Sequence, residues 1–130
     1  RSLGQTLLAS PEFLHVSGHG AFLPSGQYAL AMETQSGSAD IVNCAALGRL
    51  LETCASPPRL VFVAACYSAH AGMVFVEAGV PHVVAVKSNE RILDATARYF
   101  ASFFYRALFE GHSVRKCAHT RALLLAVQRD

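Results

Sequence analysis

One histidine and one cysteine of this chain lie in surroundings that favour covalent catalysis. His19 stands between two glycines, and Cys66 follows 47 positions later, at the end of an apolar run. A thiol is a weak nucleophile until it loses its proton, and a neighbouring imidazole is a suitable base. The two residue types therefore predict a His–Cys dyad that attacks a carbonyl carbon.

Each of the two residues follows a short apolar run that is typical of a buried strand, at residues 13–16 and 60–65. Between the runs, a helix is expected at residues 44–53, with Asn43 as its N-cap. This order predicts neighbouring parallel strands, whose carboxyl ends meet at one edge of a sheet. His19 and Cys66 are then expected side by side, with the N–H groups of Gly20 and Cys66 placed to stabilise an oxyanion.

The rest of the chain predicts an α/β fold with a mainly parallel sheet and right-handed crossovers. Before the first helix, we expect a hairpin around residues 24–27 and a polar loop at 35–39. After the second strand, we expect a loop or strained turn at 67–72, a short helix at 73–78 ended by Gly79, and a third buried strand at 82–86. The rest is expected to form a polar loop at 87–90, a long helix from about 91 or 93 to 109, and a final helix after Ser113 that reaches toward the C-terminus. Three central strands make a narrow sheet, and the chain begins with Arg1 rather than methionine. We therefore expect a fragment of a longer protein whose N-terminal strands are missing here.

Composition limits the class of protein and its partners. At 130 residues, 52% of them hydrophobic and 15% charged, the chain is expected to form one domain over residues 1–130. The net charge is +2 and the basic residues are scattered, which argues against nucleic acid. No apolar run approaches the roughly 18 residues that would span a membrane. The four cysteines show no disulfide spacing, which favours a reduced compartment and, by default, the cytoplasm.

Two motifs resemble the catalytic motifs of the caspase-like (clan CD) peptidases. They are residues 13–20 (FLHVSGHG) and 60–68 (LVFVAACYS), in the order histidine then cysteine. Caspase-type enzymes place the histidine about 50 residues upstream of the cysteine. Within this group the chain is most similar to the CHAT domain, a module often attached to tetratricopeptide repeats, and the similarity extends over residues 75–86, 94–100 and 104–114.

The resemblance implies a caspase-like three-layer sandwich and a cysteine endopeptidase that hydrolyses peptide bonds through a thioester, without a cofactor. It implies His19 as general base, Cys66 as nucleophile, and the Gly20 and Cys66 amides as the oxyanion hole. The implied partners are a protein or peptide substrate and tetratricopeptide or other regulatory segments of a parent protein. Two alternatives are a catalytically silent caspase-like module for interaction or scaffolding, and a small-molecule cysteine hydrolase on a similar sheet.

Asp40 and Ser88 are candidate substrate-binding residues. Asp40 is one of two acids between the hairpin and the first helix, and a carboxylate there would select a basic substrate residue by charge pairing. A solvated carboxylate is the favoured alternative. Ser88 lies in the polar loop that follows the third strand.

Two histidine-containing spacings are compatible with zinc ligands. His15 and His19 are spaced H-x3-H, and Cys66 and His70 are spaced C-x3-H. Because His15 and His19 fall in a strand and a glycine turn, their side chains are not expected to converge, and no metal site is predicted. For His70, a solvent-exposed loop position is favoured over a place at the border of the cleft.

Overall fold

The computed structural model describes residues 3–33, 39–86, 94–111 and 124–128. In this part of the chain, four successive strands follow the first helix, and helices and strands alternate from the second helix onward. The strands are β1 (Phe13–Ser17), β2 (His19–Phe22), β3 (Tyr28–Glu33), β4 (Ala39–Asn43), β5 (Leu60–Ala64), β6 (His82–Val86) and β7 (Leu124–Gln128). The helices are α1 (Leu3–Leu8), α2 (Cys44–Glu52), α3 (Ala69–Glu77) and α4 (Asp94–Phe109).

The larger sheet has four strands in the order β1-β5-β6-β7. β1, β5 and β6 are parallel, with Phe13 opposite Leu60 and Leu60 opposite His82, whereas β7 runs antiparallel to β6. The strands at residues 13–16, 60–65 and 82–86 and the mainly parallel sheet are thereby confirmed. Continuous apolar runs mark strands whose two faces are both covered.

Helices cover both faces of this sheet, which gives three layers. On one face, Val61, Val63 and Val83 belong to a buried cluster with Leu47 of α2 and Phe75 of α3. On the other face, alternate strand residues pack against α4 in a second cluster formed by Leu60, Phe62, Val84 and Phe104. Since successive strand side chains point to opposite faces, one apolar run supplies both cores. The expected three-layer α/β sandwich is confirmed.

A smaller antiparallel sheet, in the order β2-β3-β4, follows β1 in the chain. Its first two strands form the predicted hairpin, in which Gly26 has a positive φ of 87°. The sequence does not predict the third strand, because the pattern at residues 39–43 is short and the polar loop predicted at 35–39 includes its first residue. Pairing with β3 along all of β4 stabilises this segment.

The first residue of α2 is determined by local sequence, whereas the first residue of α3 is determined by tertiary packing. Asn43 caps α2 as predicted, since its side-chain oxygen accepts a hydrogen bond from the Ala46 N–H at 2.8 Å. By contrast, α3 begins at Ala69, four positions before the predicted helix, so the loop expected at 67–72 is wrong over residues 69–72. Small buried residues, including Gly72 close to Ala85, let this first turn pack tightly on β6.

The C-terminal prediction is partly wrong. The long helix ends at Phe109 as expected, but residues 124–128 form β7 rather than a continuation of the final helix. The apolar run in this segment suits a helix or a strand, and antiparallel pairing with β6 decides for the strand. Residues 112–123, where that helix was expected to begin, and the polar loop at 87–90 lie outside the described residues. Within the described ranges, no helix combines the length and apolar character needed to cross a membrane.

Candidate functional site

The candidate site lies where the two sheets meet, at the carboxyl ends of β1 and β5. The Gly18 N–H donates to the Ala64 carbonyl at 3.3 Å and so extends the pairing of these strands by one residue. β2 begins immediately afterwards at His19, and Cys66 follows β5 after a single buried alanine. The backbone segments that carry the two candidate catalytic residues are therefore neighbours.

Gly20 lies directly against the backbone of Cys66. A Cβ atom at Gly20 would overlap the Cys66 carbonyl oxygen and the Tyr28 hydroxyl. The Tyr28 hydroxyl, in turn, donates to the Cys66 carbonyl at 2.7 Å. Only glycine permits this approach, so the glycine after His19 has a steric role beside any role of its N–H group.

Tyr28 is a persistent donor in this arrangement. Its side chain is buried, and burial raises the pKa of Tyr28; the nearby thiols of Cys66 and Cys44 oppose ionisation of the hydroxyl as well. The hydroxyl therefore keeps its proton throughout the physiological range. Sequence reasoning missed this residue, because its place in an alternating strand indicates only a core aromatic.

Cys66 stands on a sharp turn between β5 and α3. The next residue, Tyr67, has a positive φ of 54°, in the left-handed region that costs a non-glycine residue about 1–3 kcal/mol. Ser68 is fully buried, and its hydroxyl donates to the Val63 carbonyl at 3.0 Å. The Gly72 N–H then donates to the Ser68 carbonyl at 2.8 Å as the helix begins. The strained turn expected after the cysteine is confirmed at Tyr67.

His19 is exposed at the start of β2, an edge strand of the small sheet. Its register partners Ala31 and, on the next strand, Ile41 share its face, and Ile41 is 60% exposed. Gly20 belongs to the opposite face, against Cys66, because side chains alternate along a strand. The structure thus brings the backbone of Gly20, the residue after His19, to Cys66. The strand register assigns the His19 imidazole to the other face of the small sheet, away from Cys66.

An aromatic cluster borders the Cys66 turn. Its ring centroids are 5.3–5.7 Å apart, and its members are Phe22, Tyr28, Tyr67 and His70. His70 stacks on Tyr28 at 5.3 Å with an interplanar angle of 24°. The favoured prediction for His70, an exposed loop residue, is therefore wrong, since this side chain is half-buried in the first turn of α3.

Asp40, one of the two candidate substrate-binding residues, is not brought to Cys66. Asp40 lies on β4 opposite Met32 of β3, two strand spacings or about 10 Å from the backbone of β2. Ser88 lies outside the described residues. A substrate-binding role for either residue stays a prediction.

The two histidines with H-x3-H spacing diverge, as expected. His15 lies on the α4 side of the large sheet, where it stacks on Phe62 at 5.1 Å and its Nδ1 is 2.9 Å from the Tyr105 hydroxyl. Burial lowers the pKa of His15 and raises the pKa of Tyr105 to about 12. Among the described residues, no group of three or more His, Cys, Asp or Glu side chains is placed to hold a metal ion.

Two further thiols are partly buried against the core. The Cys44 sulfur lies 3.7 Å from the His70 carbonyl oxygen, and the Cys54 sulfur lies 3.4 Å from the Leu7 carbonyl oxygen. Burial raises the pKa of both thiols. A raised pKa lowers the fraction of reactive thiolate at neutral pH.

The sheet is covered by helices on both faces, and the segments that carry His19 and Cys66 meet at one of its edges. This arrangement defines an α/β protein of caspase-like type. A family model of the CHAT domain matches residues 1–128, and the chain belongs to this family. CHAT domains are typically related to caspase-like peptidases. The resemblance seen in the sequence motifs is thereby confirmed. No curated protein is significantly similar to the chain in sequence.

Proposed function

We propose that the chain is a cysteine endopeptidase domain and a regulated module of a larger protein. Cys66 is the nucleophile, His19 the general base, and the N–H groups of Gly20 and Cys66 form the oxyanion hole. The supporting observation is the contact of Gly20 with the Cys66 backbone, made at the shared edge of β1 and β5. The contact makes the Gly20 and Cys66 segments neighbours, as an oxyanion hole built from their two backbone amides requires.

The reaction proceeds through a thioester. His19 takes the proton of the Cys66 thiol, and the sulfur attacks the carbonyl carbon of the scissile peptide bond. The oxyanion accepts hydrogen bonds from the two amides, and the intermediate collapses as the C–N bond breaks. The leaving amine takes its proton from His19. Water, deprotonated by His19, then hydrolyses the thioester and releases Cys66.

This mechanism requires the His19 imidazole to turn around the edge of β2. His19 is exposed and is the first residue of an edge strand, so few neighbouring atoms hinder rotation about its side-chain bonds. Catalytic hydrogen bonds are often long or poorly aligned before substrate binds. An extended peptide bound beside β2 is therefore expected to bring the base and the nucleophile together.

A pH series of iodoacetamide labelling tests the dyad. In the full-length protein, the labelling of Cys66 is expected to titrate with a midpoint below the free-thiol value of about 8.5. His19→Ala is expected to return this midpoint to about 8.5, and Cys66→Ala identifies the labelled site. Cys44 and Cys54, whose thiols are partly buried, serve as internal controls that label slowly. A wild-type midpoint that His19→Ala does not move would contradict the dyad.

The second candidate is a catalytically silent CHAT module for interaction or scaffolding. The assignment of His19 to the outer face of the small sheet, opposite Gly20, favours it. For this alternative we expect binding of a partner protein that survives both His19→Ala and Cys66→Ala. Retained binding together with an unactivated thiol would favour the silent module over the peptidase.

The substrate, the regulatory segments and the cellular location follow from the same proposal. We propose a protein or peptide substrate, with Asp40 and Ser88 as residues that contact it, and regulation by tetratricopeptide or other segments of the parent protein. We also propose a cytoplasmic location, where cysteines stay reduced. Cleavage profiling with a peptide library, comparing wild type with Asp40→Asn, tests whether the carboxylate selects a basic residue.

A further inference from the structure

We infer that Tyr28 is a positioning residue for Cys66. By donating to the Cys66 carbonyl, its hydroxyl fixes the rotation of the peptide that follows the cysteine and, with it, the direction of the thiol. The bond also ties the nucleophile turn to the small sheet that carries His19. The catalytic consequence rests on the proposed function.

The Tyr28 hydroxyl occupies a fixed place. The ring is only 5% exposed, stacks on His70 at 5.3 Å and meets the edge of Phe22 at 5.7 Å. The backbone of Tyr28 is paired with Phe22 in the hairpin. With ring and backbone both held, the 2.7 Å hydrogen bond to Cys66 defines where the carbonyl must point.

The Cys66 peptide needs such a restraint. Tyr67 holds a left-handed conformation that its side chain disfavours, so the turn tends to relax unless its neighbours hold it. Ser68 fixes the far side of the turn through the Val63 carbonyl. On the near side, Gly20 and the Tyr28 hydroxyl enclose the Cys66 carbonyl oxygen. Removing the hydroxyl opens that side and frees the peptide to rotate.

The consequence concerns geometry rather than charge. A cysteine displaced by about 1 Å loses alignment with its base, and displacements of that size cost on the order of 100-fold in rate. The hydroxyl itself makes its bond to the backbone carbonyl, so it takes no part in proton transfer. This separates a positioning residue from a third catalytic group.

Tyr28→Phe tests the inference, because it keeps the ring and deletes only the hydroxyl. The matched control is Tyr105→Phe, which removes the hydroxyl that lies 2.9 Å from His15 on the other side of the large sheet. Both variants are made in the full-length protein. Iodoacetamide labelling is followed across pH and located on Cys66 by peptide mass spectrometry, and thermal unfolding is measured in parallel.

Tyr28→Phe is expected to raise the labelling midpoint of Cys66 by about one pH unit toward the free-thiol value, so that labelling at neutral pH slows about tenfold. Tyr105→Phe is expected to keep the wild-type midpoint. A Tyr28→Phe protein with a lowered melting temperature but an unchanged midpoint and rate would overturn the inference and leave Tyr28 a purely structural residue.

Failure of the proposed function has a different signature. In that case the wild-type midpoint already equals the free-thiol value, and His19→Ala leaves it unchanged. The inference then fails together with the dyad, because no activated thiol exists for Tyr28 to position. When His19→Ala raises the midpoint and Tyr28→Phe does not, the inference alone is wrong.

Discussion

Replacement of Gly20 by alanine gives the most direct test of the contact at the candidate site. The added Cβ would overlap the Cys66 carbonyl oxygen and the Tyr28 hydroxyl, and it would lie 3.0 Å from the Cys66 carbonyl carbon. Neither obstacle is the free end of a flexible side chain. One is backbone, and the other is held by a 2.7 Å hydrogen bond to that backbone. The two segments must therefore move apart.

The size of the effect follows from the required displacement. The added carbon and the oxygen atoms that it overlaps must separate by about 1.5 Å to reach ordinary van der Waals contact. Overpacking of this kind costs about 1–3 kcal/mol in the free energy of unfolding, or a decrease in melting temperature of roughly 3–10 °C. If Cys66 takes up the displacement, its His19-assisted reactivity is expected to fall on the order of 100-fold.

Gly48→Ala is the matched control, because it adds the same methyl group inside α2. There the nearest atom outside the helix backbone is Val74 Cγ1, at 3.9 Å, which is an ordinary contact. Alanine in place of a helical glycine is expected to stabilise the protein by about 0.5–1 kcal/mol. Thermal unfolding and the rate of Cys66 labelling by iodoacetamide are measured on both variants. If Gly20→Ala melts and labels like wild type, the close approach of Gly20 to Cys66 is refuted.

Substitutions at three further positions test supports of the fold and of the Cys66 turn. Asn43→Ala removes the N-cap of α2 and is expected to lower the free energy of unfolding in urea by about 1 kcal/mol, whereas Asn43→Asp retains a capping oxygen and most of the stability. Ser68→Ala removes the 3.0 Å hydrogen bond from the turn to the Val63 carbonyl, and the free energy of unfolding in urea is expected to fall by about 1–2 kcal/mol. A urea midpoint equal to that of wild type would show that this bond is dispensable. The pKa of His15 is lowered in the folded protein, so the unfolded chain binds a proton more readily and stability is lost as pH falls below 6.5 through that lowered pKa. Urea midpoints at pH 5 and 7.5 are expected to differ less in His15→Gln than in wild type, and an equal difference would contradict the burial effect.

The central strands and the meeting of the two motifs were predictable from sequence. Val61, Phe62 and Val63 form part of an unbroken apolar run, which is typical of a strand covered on both faces. The order of strand, helix and strand then fixes parallel neighbours and places Cys66 near the segment of His19. Local chemistry also suffices for the cap at Asn43.

The edge strands and the support of Cys66 were not predictable, because tertiary partners decide them. β4 and β7 are each five residues long and have no distinctive local pattern, so pairing with β3 and β6 determines their conformation. The bond from Tyr28 to Cys66 joins residues 38 positions apart, and no spacing rule connects them. A buried tyrosine needs a hydrogen-bond partner, but the sequence does not say which carbonyl provides it.

The division of the site between two sheets has a mechanical consequence. His19 belongs to the small sheet and Cys66 to the end of the large one, with Gly18 as the single residue between β1 and β2. The Gly18 N–H is bonded to the large sheet, and a Cβ atom at Gly18 would come 2.7 Å from the Ala31 carbonyl oxygen of the small sheet. A small tilt of one sheet against the other about Gly18 would therefore change the distance from the proposed base to the proposed nucleophile without altering either side chain. A partner protein bound to the small sheet is therefore expected to change the reactivity of the proposed dyad.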